Sequence, residues 1–181
     1  MTETGQPFPL VFDCMCLSHF ALADRLDVLR ALYVDHICHT THVVREELRA
    51  GVDKHPALLD ALNLDWLIIE RLDSLQELAC FAEWVQRLGS ASRNLGEASV
   101  FSAAELLGAV AISDDQEAVR VGRRYGLTVH GTLWLLSRAC SDGKLTEVNV
   151  INLIDALRHT GMRLPCSGSE YSTWARSHGL L

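Results

Sequence analysis

The chain has 181 residues, 49% of them apolar and 22% charged, which is the composition of an ordinary globular domain. No apolar run approaches the ~18 residues of a membrane span. A chain of this length buries roughly 70% of its unfolded surface and does not need disulfides or metals for its stability. The formal net charge of −7 argues against a protein that holds nucleic acid on a broadly basic surface, but it leaves open a nuclease whose acids gather at a metal site.

In the first half of the chain, strand-like and helix-like segments alternate. "FPLVFD" (8–13) is a short apolar run that ends in an acid, which predicts a buried strand. Apolar residues at helical spacing predict a helix over 22–33, and "DHICHT" (35–40) is typical of a second strand. Thr41 is placed to cap the helix that follows, and Gly51 is placed to end it.

The second half continues this alternation and finishes in helices. We predict, in order, a strand (65–72), two helices (74–88 and 96–108), a strand (108–115), a helix (116–126), a strand (127–131) and three helices (132–143, 146–160 and 169–178). Strands alternating with helices indicate a three-layer α/β/α domain with a central parallel sheet of about four to five strands. We expect a single domain over residues 1–181, with 146–181 as a C-terminal helical extension.

Acidic residues recur where the predicted strands end or the predicted helices begin. They are Asp13, Glu46, Glu47, Glu97, Asp114 and Asp115. The carboxyl ends of parallel strands meet at one edge of the sheet, where ligands bind in α/β proteins. Carboxylates gathered there repel one another unless a cation joins them, and oxygen ligands without a matching set of His and Cys favour Mg²⁺ or Mn²⁺. Such metals activate water and stabilise the leaving oxygen of a phosphodiester.

Each of these acids also has a purely structural interpretation. Asp114 or Asp115 could cap the next helix, and Glu97 in a first helical turn favours the helix dipole. Glu46 and Glu47 could be solvated surface residues. The positions of the acids in one α/β domain, taken together, favour the metal site.

Four stretches of the chain, spread over residues 8–180, resemble the PIN-domain family of metal-dependent ribonucleases, especially the branch related to VapC-type toxins. The third is the most specific. They are "LVFDCMCLSHFALADRLDVL", "THVVREELRAG", "LGEASVFSAAELLGAVAISDDQEAVRVGRRYGLTVHGTLWLL" and "SDGKLTEVNVINLIDALRHTGMRL". The resemblance implies that the catalytic acids are Asp13, Glu47, Glu97 and Asp115.

The same resemblance gives roles to neighbouring residues. Ser113 stands where the family often has a hydroxyl beside the fourth acid. Asp114 is an alternative or supporting metal ligand, and Glu46 is a weaker alternative to Glu47. The family commonly has a small hydroxyl residue two places after the first Asp, and here that place is Met15.

What the resemblance implies is a Mg²⁺- or Mn²⁺-dependent endoribonuclease that leaves 5′-phosphate and 3′-hydroxyl ends. It further implies a homodimer and a small antitoxin protein that restrains the enzyme. The amino terminus, "MTETGQPFPL", lacks a basic region and an apolar signal core, so we expect a cytoplasmic protein. The alternative, supported by Met15, is a catalytically inactive PIN-like module that binds protein or RNA.

Three other patterns in the sequence suggest different functions. "HICHTTH" brings four potential zinc ligands together, but no second ligand pair has the spacing of a structural zinc site. Arginines 120, 123 and 124 follow the fourth acid and could hold RNA phosphates, although a solvated helix face is the simpler interpretation. A phospho-receiver domain would need a strand-end lysine, which neither Lys54 nor Lys144 supplies. The tryptophans are assigned to the core or an interface.

Overall fold

A computed structural model describes residues 7–89 and 94–181. The strands are β1 (Leu10–Phe12), β2 (Cys38–Thr41), β3 (Leu67–Glu70), β4 (Val110–Ile112) and β5 (Val129–His130). Within the described residues they form a five-stranded sheet in the order β3-β2-β1-β4-β5, and every pair is parallel. The predicted parallel sheet is therefore confirmed, with β1 at its centre.

Helices connect the strands and cover both faces of the sheet. They are α1 (Cys14–Leu22), α2 (Leu26–Tyr33), α3 (His42–Gly51), α4 (Leu58–Leu62), α5 (Leu75–Leu88), α6 (Leu95–Leu107), α7 (Gln116–Arg124), α8 (Thr132–Ser141), α9 (Glu147–His159) and α10 (Tyr171–Ser177). The architecture is the three-layer α/β/α arrangement expected from the sequence. No helix in the described parts of the chain is both long and apolar enough to cross a lipid bilayer.

The centre of the core is formed by β1 and α6. Every residue of β1 is fully buried, as expected for a strand covered on both faces. Helix α6 is buried over most of its length because its sequence, "EASVFSAA", is built from small and apolar residues that allow close packing on the sheet and on α5. This packing brings the first turn of α6 to the carboxyl edge of β1 and β4.

Local sequence signals explain where several helices begin. Thr41 accepts a hydrogen bond from Val44 N at 3.2 Å and caps α3 as predicted. Ser74 and Glu77 form a reciprocal capping box at the start of α5. At the other end of the chain, α9 packs against α1 and α8, and the Tyr171 hydroxyl donates to Ser137 Oγ at 3.0 Å.

The amino-terminal half differs from the prediction in two places. The strand over 8–13 is shorter, and Asp13 is not its last residue but the N-cap of α1, a helix that we did not predict. In "CMCLSHFAL" the apolar residues surround the helix rather than forming one stripe, so no helical period is visible. Helix α4 also went unpredicted, because one and a half turns carry too little periodicity.

Candidate active site

Asp13 lies in the least solvated position of the site. Its side chain is 4% exposed, and Oδ1 accepts a hydrogen bond from Cys16 N at 2.8 Å. The Ser113 hydroxyl is close enough to this carboxylate to lower its pKa. Burial, followed by the negative charge of Asp114 and with a smaller effect from Glu97, raises the pKa of Asp13 to about 8. Asp13 is therefore held in place by neutral donors that do not cancel its charge.

Glu47 reaches from α3 to the beginning of α6. The Glu47 carboxylate lies against Gly96, and the Gly96 backbone and the Cys14 thiol both act to lower its pKa. A Cβ atom at Gly96 would lie only 2.5 Å from Glu47 Oε2, so a residue without a side chain is required for this contact. Burial raises the pKa of Glu47, and the charge of Glu97 raises it further.

A chain of hydroxyl groups fixes α3 against α6 beneath this contact. Thr41 Oγ1 and Ser99 Oγ are 2.6 Å apart, and Ser99 donates to the carbonyl of Gly96 at 2.7 Å. The single Ser99 hydroxyl proton is used for Gly96 O, so Thr41 donates to Ser99. The predicted cap of α3 thus also positions the glycine that receives Glu47.

Glu97 connects the acids to one another. It lies half-buried in the first turn of α6, where burial raises its pKa and the charge of Asp115 raises it further. The charge of Glu97 in turn raises the pKa values of both Asp13 and Glu47. Glu97 and Asp115 line a common cleft of about 240 Å³. The structure therefore brings acids from separate elements of the chain into one electrostatic cluster.

The adjacent residues Asp114 and Asp115 point to different partners. Asp115 Oδ1 accepts from Ala118 N at 2.8 Å, so this residue caps α7 while facing the cleft with Glu97. Asp114 is part-buried and accepts from Thr132 N at 2.9 Å and Thr132 Oγ1 at 2.6 Å. The charge of Asp114 raises the pKa of Asp13, whereas the charge of Asp115 raises the pKa of Glu97. Both aspartates consequently belong to the cluster, each acting on a different acid.

Ser113 and Met15 have different surroundings. Ser113 is fully buried, its hydroxyl acts to lower the pKa of Asp13, and it accepts from Asp115 N at 3.4 Å. Met15, at the place where the family commonly has a hydroxyl, packs part-buried against the hydrophobic core.

Glu46 lies outside the cluster. Its carboxylate is exposed and ion-paired with Arg49, and His42 Nε2 lies 3.8 Å away. In contrast, no Lys or Arg is ion-paired with the clustered acids in residues 7–89 and 94–181. The same residues contain no three His, Cys, Asp or Glu side chains already drawn together closely enough to hold an ion. Asp13, Asp114 and Asp115 instead accept hydrogen bonds from backbone or hydroxyl groups.

The proposed zinc ligands do not converge. His39 Nδ1 bonds Glu70 Oε1 at 2.8 Å, and His36 Nδ1 lies 3.1 Å from Phe8 O. Cys38 contacts backbone carbonyls and His42 faces Glu46. These partners direct the four side chains to different places, in agreement with the rejection of a zinc site.

Sequence reasoning missed two features of the site. Gly96 and Thr132 contact Glu47 and Asp114 directly, and their only sequence signals are a glycine just before Glu97 and a Gly-Thr pair before a helix. The assignment of every tryptophan to the core or an interface needs refinement. Trp84 is fully buried, but Trp134 and Trp174 line an open cleft that adjoins Asp114.

Comparison with known protein families gave a match over most of the chain. A family model described as a PIN domain matches residues 9–176, which is nearly the whole chain. A search of curated proteins found no match.

Proposed function

Because the chain belongs to the PIN-domain family, whose members are generally nucleases, we propose that it is a Mg²⁺- or Mn²⁺-dependent endoribonuclease. The observation that carries this proposal is the position of Glu97, whose charge acts on both Asp13 and Glu47 while the charge of Asp115 acts on Glu97. Unpaired acids that raise one another's pKa values are typical of catalytic and metal sites.

The donor set suits a hard divalent cation. All the clustered acids offer carboxylate oxygens, the ligands that Mg²⁺ and Mn²⁺ prefer. A cation would compensate the buried charge of Asp13 and its repulsion by Asp114, the two main causes of the raised pKa, which is a gain that a neutral ligand could not provide. We propose Asp13, Glu47, Glu97, Asp114 and Asp115 as the residues that hold metal. Bound there, a divalent cation lowers the pKa of water and stabilises the charge on a phosphodiester during hydrolysis.

The protein's own groups would keep these oxygens in place. Cys16 N donates to Asp13, Thr132 donates to Asp114, and the Glu47 carboxylate lies against Gly96. Such contacts with metal-binding carboxylates orient the ligands before the cation arrives.

In the cell, we propose that this nuclease acts in the cytoplasm as a homodimer and as the toxin of a toxin–antitoxin pair. A small antitoxin could place a basic side chain among the clustered acids and neutralise the charge that metal otherwise neutralises. The resemblance of the sequence to VapC-type toxins supports this role.

A second candidate is a PIN-like module that binds protein or RNA without cleaving it. The apolar packing of Met15, in place of a hydroxyl near Asp13, favours this alternative. The test is cleavage of RNA by the purified protein with Mn²⁺ or Mg²⁺, beside Asp13→Asn. Cleavage by the natural protein alone supports the nuclease. Equal cleavage by both proteins would show that the activity arises elsewhere, and metal binding without cleavage would favour the binding module.

A further inference from the structure

A second cleft, of about 390 Å³, adjoins the acid cluster at Asp114. Its walls come from the end of β5, the start of α8 and the C-terminal segment, and their apolar part consists of Leu133, Trp134, Pro165, Trp174 and Leu180. The volume lies within the roughly 300–1,000 Å³ of small-ligand pockets, which are typically apolar with a few polar groups. The cleft therefore has the size and lining of a binding site.

Flat aromatic surfaces distinguish this cleft from the one beside Glu97. The His130 ring stacks on Trp134 with centroids 4.1 Å apart and planes 5° from parallel. His178 stacks on Trp174 at 4.3 Å and 25°. Both indoles are only part-buried and line the cleft. Each thus already packs face to face with a planar nitrogen heterocycle, which is the geometry that a nucleobase would adopt.

Polar groups at the cleft add positive charge and connect it to the acids. The Arg123 guanidinium is held against Val129 O by Nε at 3.1 Å and by a terminal nitrogen at 2.8 Å, and Arg123 lines the cleft. Asp114 lines it as well and belongs to the acid cluster. A nucleotide with its base in the cleft would have its phosphate near both the arginine and the acids.

We propose that this cleft binds an unpaired base of the RNA substrate, stacked against the indoles of Trp134 and Trp174. The inference rests on the proposed ribonuclease function, and it assigns the binding of one substrate base to this cleft. A base inside a duplex is stacked and paired and cannot enter such a cleft, whereas bases of single strands and loops stack readily on aromatic side chains.

The test measures RNA affinity in the Glu97→Gln background, which prevents cleavage during the measurement. Anisotropy of an end-labelled single-stranded RNA is compared for this parent and for added Trp174→Ala, Trp174→Phe and Tyr125→Ala changes. Tyr125 is an exposed aromatic residue outside the cleft and is the matched control. A duplex of the same sequence is the control for unpaired bases.

We expect Trp174→Ala to weaken single-strand binding by about tenfold, the size of one lost base stack, and Trp174→Phe to restore most of it. Tyr125→Ala should leave binding unchanged, and the duplex should bind more weakly than the single strand. Single-strand affinity that is unchanged by Trp174→Ala would overturn the proposal, as would a parent that binds no RNA. Single-strand affinity that is unchanged by Trp174→Ala is also the result expected if the cleft receives a protein partner instead of a base.

Cleavage assays with the natural residue at 97 separate this inference from the proposed function. If the protein hydrolyses RNA but Trp174→Ala has no effect on binding, the base site is wrong and the nuclease assignment stands. If Trp174→Ala weakens binding but the natural protein cleaves nothing with Mn²⁺, the base site stands and the nuclease assignment fails.

Discussion

The neighbouring glutamates Glu46 and Glu47 of α3 have different electrostatic surroundings. Glu46 is exposed and ion-paired with Arg49, as Glu83 is with Arg87 on α5. Glu47 is half-buried, lies against Gly96 and has the like charge of Glu97 close by. The protein therefore pairs these exposed glutamates with arginines and, in the described residues, pairs none of the less exposed acids of the cluster with Lys or Arg. This pattern is unfavourable for folding alone and would be relieved by a cation that joins the cluster.

The largest expected difference in the rate of RNA cleavage is between substitutions of Glu47 and Glu46. Glu47→Gln keeps the shape of the side chain but removes one charge from the cluster. We expect it to lower the rate of RNA cleavage at least about a hundredfold, the usual effect of removing one preorganised electrostatic group from a catalytic site. Glu46→Gln is the matched control and should change the rate less than about twofold, as surface substitutions do.

A cleavage assay with Mn²⁺ on both variants checks this difference. Comparable losses in both would mean that the burial of Glu47 has no bearing on catalysis. Activity close to that of the natural protein in both variants would show that Glu47 is not part of the catalytic site.

The pH dependence of stability should reveal the unpaired charge of Asp13. Its pKa is raised from 3.8 to about 8, so between these values the folded metal-free protein binds a proton that the unfolded chain has lost. The stabilisation from this group is complete below the unfolded pKa and is lost as the pH rises through the folded pKa. The free energy of unfolding should therefore fall with rising pH, by up to about 1.4 kcal/mol per pH unit for this group.

Urea unfolding in the presence of a chelator, from pH 5 to pH 8, measures this slope. Asp13→Asn should show a flatter profile because the amide does not titrate. Added Mg²⁺ or Mn²⁺ should stabilise the natural protein more at high pH, where metal no longer competes with the proton. A slope of the opposite sign, absent in Asp13→Asn, would show that Asp13 is ionised and compensated in the metal-free protein.

A smaller effect is expected at Gly96, which has no charge of its own. A methyl group there would lie within 2.5 Å of Glu47 Oε2, so Gly96→Ala must displace the carboxylate. We expect about a tenfold loss of metal affinity, as for other groups that orient metal ligands. In the Glu47→Ala background the same substitution has nothing to displace and should add little.

Calorimetric titration of Mn²⁺ into the four proteins of this double-mutant cycle measures the coupling. Additive losses would show that Gly96 acts independently of Glu47. That outcome would contradict the conclusion that residue 96 is a glycine because the Glu47 carboxylate lies against it.

The smallest effect is expected at Thr132, which donates to Asp114. Thr132→Val keeps the volume of the side chain and the backbone bond to Asp114 but removes the 2.6 Å hydroxyl bond. We expect a severalfold decrease in cleavage rate, because the backbone bond still holds Asp114 and the net loss is about 1 kcal/mol. Thr132→Ser, which restores the hydroxyl, should recover the rate, and failure to do so would assign the loss to packing.

Much of the fold was predictable because local signals agreed with the tertiary structure. Thr41 and Gly51 delimit α3 as expected, and alternating elements led to the parallel sheet. Helix α1 could not be recognised because it is apolar on all sides, so the turn between strand and helix at Asp13 was also missed. A strand followed directly by a helix has no loop residues to mark the boundary.

The candidate site was partly predictable for a similar reason. Acids at the ends of β1 and β4 stand out in apolar segments, whereas the groups that hold them do not. The separate roles of Asp114 and Asp115 depend on Thr132, a contact across 18 positions of the chain that no local pattern reveals. The cleft lined by Trp134 and Trp174 likewise arises only when the C-terminal helix packs beside β5.

Direct measurement of cation binding tests the central claim that the unpaired acids act together. Mn²⁺ is titrated calorimetrically into the natural protein, into Glu97→Gln and into Glu83→Gln, whose glutamate is paired with Arg87 on the surface of α5. We predict that Glu97→Gln abolishes or greatly weakens binding while Glu83→Gln binds as the natural protein does. Equal Mn²⁺ binding by all three proteins would contradict the account.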